Sequence, residues 1–355
     1  MQTRFASIGR APALAILFAL LLLIGIGLGL DADRVTRPPT PPGHGDVDLY
    51  RAIDTRMMAG EGYYQAATTE QRARGYPLRP FVTVRMPTLA WITTLAGGPS
   101  RIAWLEMLLA VASVGATIVY LRRSISSLWM WGAASLLVAV TVILLSQSEL
   151  VFWHELWAGL LIALALACRT ERRWGPSVAL GLAAVLFREL AMPFLFAMAA
   201  CAALERRPRE ALAWAGAILV AGLALAAHAA AVHAMLHPAD PASPGWSRIG
   251  GWRFDIAVVR GSSLLAVLPA SFTAVLLPVA LLGWAGWSNG YSARFALTLA
   301  GWLGAFLLIG RPENFYWGLL MAPLMPIGVV VALPALRDLL RQAWRGAERA
   351  PLPAQ

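Results

Sequence analysis

The 355-residue chain is 59% hydrophobic and only 14% charged, with a mean hydropathy of +0.64 and a formal net charge of +10. That balance excludes a soluble globular domain and points to a membrane protein. Every one of its 29 basic residues is an arginine, which excludes a Schiff-base or P-loop lysine, and no basic stripe interleaved with aromatics marks a nucleic-acid surface.

The first apolar run, 11–30, follows Arg4 and Arg10. Its roughly 20 uncharged residues exceed the h-region of a secretory signal, about 7–15 residues, and no small-x-small cleavage site follows. It reads as a retained first helix. Residues 31–100 form one large polar insertion. Its start, "TRPPTPPG" (36–43), is a stiff polyproline-like spacer. The next stretch, "GDVDLYRA" (45–52), opens a segment with helix potential. Asp46 or Asp48 would cap it, Tyr50 to Met58 would form its face, and Gly60 and Gly62 would end it. "GYPLRPFVTVRMPT" (75–88) returns the chain to the membrane, and 87–99 is apolar but too short to cross, as expected of an interfacial segment.

Further crossings are expected near 102–120, 128–146, 151–168, 176–188, 190–204, 211–232, 263–283, 295–310 and 317–336. The fold class is therefore all-α: a polytopic transmembrane helical bundle of about ten helices, one membrane domain over 1–355 with the loop 31–100 inserted between helices one and two. The pair 176–188 and 190–204 is short for full crossings and fits a tilted or re-entrant hairpin. With the N-terminus inside, inner segments hold 15 arginines against five acids and outer segments hold 14 of each. The whole excess of +10 falls on one side, as the positive-inside rule expects of cytoplasmic loops. Both termini are then cytoplasmic, and the large loop faces outward. Cys168 and Cys201 fall at inner helix ends, where a disulfide is not expected.

Charged residues near apolar segments crowd their outer ends: Arg101, Glu106, Glu149, His154, Glu155, Arg188, Glu189, Arg311 and Glu313. Asp46 and Asp48 are candidates for a general base acting on an acceptor hydroxyl, for a helix cap, or for a divalent metal pair. In "LFRELAMPF" (186–194), Arg188 and Glu189 form either a local ion pair or a phosphate-recognition corner. In "GRPENFYWGLL" (310–320), Arg311 is a candidate phosphate ligand, and Phe315, Tyr316 and Trp317 look like an aromatic belt. In "SQSELVFWHELW" (146–157), His154 and Glu155 could bind phosphate, shuttle a proton or serve structure alone. His228, His233 and His237 lack a carboxylate partner for a metal site. Arg79 and Arg85 either steer an anionic headgroup or rest at the lipid surface. Trp246 and Trp252 either stack on a sugar or belong to the belt.

The run "DVDLYRAIDTRMMAGEGYY" (46–64) resembles the first outer loop of the GT-C superfamily, integral-membrane glycosyltransferases that use polyprenyl-phosphate sugars. Its mannosyltransferase-like bacterial branch has a similar D-x-x-x-Y…G-x-x-Y pattern after the first helix. The resemblance implies an inverting sugar transfer, hexosyl or mannosyl-like, in cell-envelope glycan biosynthesis. It implies a polyprenyl-phosphate sugar donor, a glycan or lipid acceptor and a groove for membrane lipid. By register with Tyr50, Asp46 matches the family's base and Asp48 stands second. Arg188, Arg311, Glu189, His154, Glu155, Tyr50 and Arg85 are expected around the donor phosphate. No cofactor is obligatory on this reading, though the Asp46-x-Asp48 pair leaves magnesium or manganese open. The rival readings are a membrane carrier or flippase for a lipid-linked glycan intermediate, and an O-antigen polymerase or ligase. The first would place polar groups along a midplane path, and the second a key loop later in the chain.

Overall fold

The computed structural model describes residues 3–30, 32, 45–146, 149–245 and 249–345. The spacer at 36–43 and Trp246 lie outside the described residues. The fold is helical, with no strand among the described residues beyond isolated bridges at Thr3–Trp287 and Arg79–Ala242. The helices are α1 (Arg10–Gly29), α2 (Asp46–Met58), α3 (Tyr63–Ala73), α4 (Thr88–Ala96), α5 (Pro99–Ser124), α6 (Leu128–Leu145) and α7 (His154–Cys168). They continue as α8 (Gly175–Phe187), α9 (Met192–Leu204), α10 (Pro208–Ala234), α11 (Gly251–Gly261), α12 (Ala270–Gly286), α13 (Gly290–Leu308) and α14 (Met325–Arg345).

Most segments expected to be apolar and membrane-crossing are helical, but the expected crossing 263–283 opens with a separate 3-10 turn, Leu264–Val267, and α12 starts only at Ala270. Five helices, α1, α5, α6, α10 and α13, are long and apolar enough to cross a bilayer, which makes this a membrane-embedded helical protein. α7, α8, α9 and α12 are apolar but shorter. The expected last crossing, 317–336, is not one straight helix. A 3-10 helix, Pro312–Leu320, is followed by α14 at a bend of 71°. Pro323 lies at the break, where it cannot continue the helix, and Pro326 falls in the first turn of α14, where proline is tolerated.

Residue contacts group the chain into two compact units. Unit 1 comprises Met1–Thr36, Thr117–Thr141 and Ile249–Gln355. Within it, α12 packs on α14, α1 packs on both, and α11 packs on α12, α13 and the Pro312–Leu320 helix. The α12–α14 crossing depends on missing side chains. A Cβ on Gly283 would run into the Gly328 carbonyl, and one on Gly328 would meet the Ala280 carbonyl and the Trp284 ring. Small residues permit such close backbone approach between membrane helices. Gly283→Val is therefore expected to cost at least ~1–3 kcal/mol, because the clash is with backbone that cannot repack. A fall in the thermal midpoint of the detergent-purified protein would register it, with Gly304→Val, which faces open space, as the tolerated control.

Tyr316 and Trp317 are core residues, not the expected belt. Trp317 packs against Phe254 and Phe306, with ring centroids 6.2 and 5.3 Å apart, and both Tyr316 and Trp317 are buried. Trp252 donates its indole N–H to the Leu23 carbonyl at 3.1 Å, so it clasps α1.

Unit 2 comprises Arg37–Ala116 and Val142–Arg248. α7 is its centre, with 12 of its 15 residues buried, and it packs against α8. Trp157 stacks on Phe187 at 5.2 Å. α10 lies against α8 and α9, and Gly181 gives room for Trp214 and Phe194. At the far ends of α7 and α10, Arg169 grips buried Glu210 through two hydrogen bonds of 2.6 and 2.8 Å. Neither Cys168 nor Cys201 is in a disulfide.

The large loop folds as expected at its centre. α2 starts after Gly45, Gly60 follows its end with φ +96°, and α3 turns back against α2. Leu49, Ile53, Met57, Tyr63, Leu78 and Val84 form its core, each side chain contributing roughly 1.5–3 kcal/mol of burial. Arg72 binds Asp240 through bonds of 2.7 and 2.9 Å and reaches the Met235 carbonyl, which straps α3 to the chain after α10.

Candidate functional site

α2 separates the two aspartates that the sequence leaves equivalent. Asp48 stands three residues after the cap and accepts from the Gly45 backbone N–H at 3.2 Å, completing the N-terminal turn. Asp46, the first residue of the helix, turns elsewhere. The Tyr76 hydroxyl donates to its Oδ1 at 2.8 Å, and it borders a cavity of about 40 Å³ shared with Tyr50, Gln71, Thr83 and Arg85. Such a space holds a few waters, or the hydroxyl end of a larger molecule. The cap reading therefore belongs to Asp48, and Asp46 is the carboxylate left facing open space.

Arg85 lines the same cavity. Its Nε donates to the Tyr50 hydroxyl at 3.1 Å, and its carbonyl accepts from the Tyr63 hydroxyl at 2.6 Å. Burial keeps the Tyr63 phenol far above its usual pKa, so it remains a donor. Arg79 donates to the His237 carbonyl at 2.8 Å and sits at the surface.

Tyr50 leads into the buried cluster behind the cavity. Its ring meets His154 edge-on, with centroids 5.2 Å apart. His154 is buried, its Nδ1 has no hydrogen-bond partner among the described residues, and its electrostatic neighbours are Arg85, Arg188 and the Phe152 backbone. The next residue, Glu155, approaches Arg188 Nε at 2.6 Å as a close ion pair without hydrogen-bond alignment. Arg188 also pairs with Glu189. Both Arg188 and Glu155 are about 2% exposed or less. The charge of Glu189 reaches Tyr63 and His228, whose ring nitrogens bond Tyr64 and the Val84 carbonyl.

Four expected outer-end residues, His154, Glu155, Arg188 and Glu189, thus converge with Tyr50 and Arg85 in unit 2. Of the two readings of the Arg188–Glu189 corner, the ion pair is present: Arg188 is buried and pairs with both Glu155 and Glu189. Arg311 lies in unit 1, paired with Glu313. Among the described residues, no group of three or more His, Cys, Asp or Glu side chains is placed to hold a metal ion. Asp46 and Asp48 engage different partners, and His233 Nδ1 contacts its own helix at Ala229.

Asp54 is the carboxylate that sequence reading misses. It lies on α2 two turns after Asp46, it is buried, and burial raises its pKa to about 7. The signal was present in its neighbours: Asp54 sits between Ile53 and Met57 on the core side of an amphipathic helix. Its folded pKa lies above the unfolded 3.8, so its proton favours folding below about pH 4, and that contribution is lost as pH rises through about 7. Asp54→Asn should raise the thermal midpoint at pH 8 and change it little at pH 4, which a melting series across that range would show.

No protein-family model matches the chain, and no curated protein or solved structure matches it.

Proposed function

We propose that the chain is an integral-membrane glycosyltransferase of GT-C type, with about ten crossings and its site on the outer, periplasmic side of a bacterial inner membrane. The observation that carries this reading is Asp46: fixed on one oxygen by Tyr76, it borders the same small cavity as Arg85. The donor is a polyprenyl-phosphate sugar and the acceptor a hydroxyl of a glycan or lipid.

The reaction is a single inverting displacement. Asp46 takes the proton of the acceptor hydroxyl, and that oxygen forms a bond to the anomeric carbon. The bond from that carbon to the phosphate oxygen breaks, and polyprenyl phosphate leaves with the electron pair. A general base of this kind is worth about 10²–10⁴ in rate. Arg85, which lines the cavity, supplies the cation for the departing phosphate. Arg188, Glu155 and Glu189 set the shape of the floor on which Tyr50 and His154 rest, and they do not contact the donor.

The test is a panel of polyprenyl-phosphate sugars offered to the full chain reconstituted in vesicles. Release of polyprenyl phosphate together with sugar transfer is expected for at least one donor. Movement of the intact labelled donor between leaflets without release would establish a carrier and overturn the transferase reading. In the same assay, Arg85→Gln should lower kcat by at least about tenfold, as loss of a charge-stabilising donor does.

A further inference from the structure

Unit 1 contains a carboxylate that the transfer chemistry does not use. Asp255 lies midway along α11, fully buried, and among the described residues neither of its oxygens has a hydrogen-bond partner. Its place on the helix is fixed by its neighbours. Ser262 stands two turns later on the same face, and Val258 one turn later. Both meet the Pro312–Leu320 helix: a Cβ on Gly318 would strike the Ser262 hydroxyl and the Val258 carbonyl. By helical spacing Asp255 falls at the edge of the α11 face that packs on this helix, which precedes the 71° break.

Among the described residues, no charge compensates it. α12 and the Leu264–Val267 turn contain no titratable residue. α1 offers only Arg10, α13 only Tyr291 and Arg294, the Pro312–Leu320 helix only Glu313 and Tyr316, and α11 itself Arg253 and Arg260. None of these hydrogen-bonds Asp255, and burial is the sole cause that pushes its pKa up, to about 8. An isolated ionised carboxylate is too costly to keep in such a place.

We infer that Asp255 is a proton-binding site: the seam between α11 and the Pro312–Leu320 helix closes only over the neutral acid, and loss of that proton opens it. The site is independent of the transferase reading. Its ligand is a proton, and its consequence is that packing in unit 1 depends on pH. The sign follows from linkage. The folded seam holds its proton to higher pH than an opened, solvated carboxyl near 3.8, so closure is favoured at low pH and weakens as pH rises through about 8.

Two measurements on the full chain test this. In infrared difference spectra between pH 6 and pH 9, the wild-type protein should lose the carbonyl stretch of one protonated carboxylic acid, and Asp255→Asn should lack that change. For the seam itself, Ser262→Cys is labelled with a thiol reagent in a Cys168→Ser, Cys201→Ala background. From pH 6 to pH 9 the labelling rate should rise by more than about tenfold beyond the rise of the same cysteine with Asp255→Asn added. An unchanged carboxyl band in the wild-type protein, or equal labelling profiles with and without Asp255, would overturn the inference. The infrared arm needs no variant to fold.

Discussion

Arg188→Met is expected to lower the stability of the protein by about 3–5 kcal/mol, because it strands buried charge and does not merely delete a contact. Glu155 is about 1% exposed and faces Arg188 at 2.6 Å, while Glu189 holds the same guanidinium from the next position in the chain. Removing the cation leaves Glu155 to be protonated or to pull water into the centre of unit 2, and α7 is the most buried helix there. The double variant Arg188→Met, Glu155→Leu should recover much of the loss, since a well-packed apolar pair replaces a buried ion pair at little cost. Thermal melts of the wild type, both single variants and the double variant form the cycle that isolates the pair. If Arg188→Met melts like the wild type, the pair is not a structural element and Arg188 returns as a candidate donor ligand.

Asp46→Asn is expected to reduce sugar transfer by about 10²–10⁴ with little change in stability. Asparagine keeps an acceptor oxygen for the Tyr76 hydroxyl but cannot take a proton from the sugar acceptor. The loss should therefore fall on kcat, with donor KM nearly unchanged. Asp48→Asn removes only the charge of a side chain that accepts from Gly45 at 3.2 Å. Its expected cost is about 0.5–1 kcal/mol at the start of α2, with transfer retained. Tyr76→Phe lies between the two: Asp46 remains, but its orientation is no longer fixed.

Much of this arrangement is legible in the sequence because lipid imposes long apolar runs, and the runs are visible without a structure. The helical stretches from 11–30 through 295–310 follow from that rule, as does the start of α2 between Gly45 and Gly60. The rest depends on tertiary partners. Nothing in "LFRELAMPF" shows that Arg188 pairs with Glu155, because α7 and α8 must pack before the two meet. Periodicity places Asp46 and Asp48 on one short helix, but only the position of Tyr76 distinguishes the free carboxylate from the cap. The broken last segment was signalled by Pro323 and Pro326, a signal masked by the apolar residues around them. Asp54 and Asp255 escaped notice because a single acid in a loop helix normally faces solvent, whereas both lie on the apolar sides of amphipathic helices.

The most direct test of the proposed chemistry compares Asp46→Asn with Asp48→Asn at equal, verified folded amounts, measuring polyprenyl phosphate released per minute from the donor that the wild type accepts. Release should collapse for Asp46→Asn and stay near normal for Asp48→Asn. Near-normal release by Asp46→Asn would contradict the proposed chemistry.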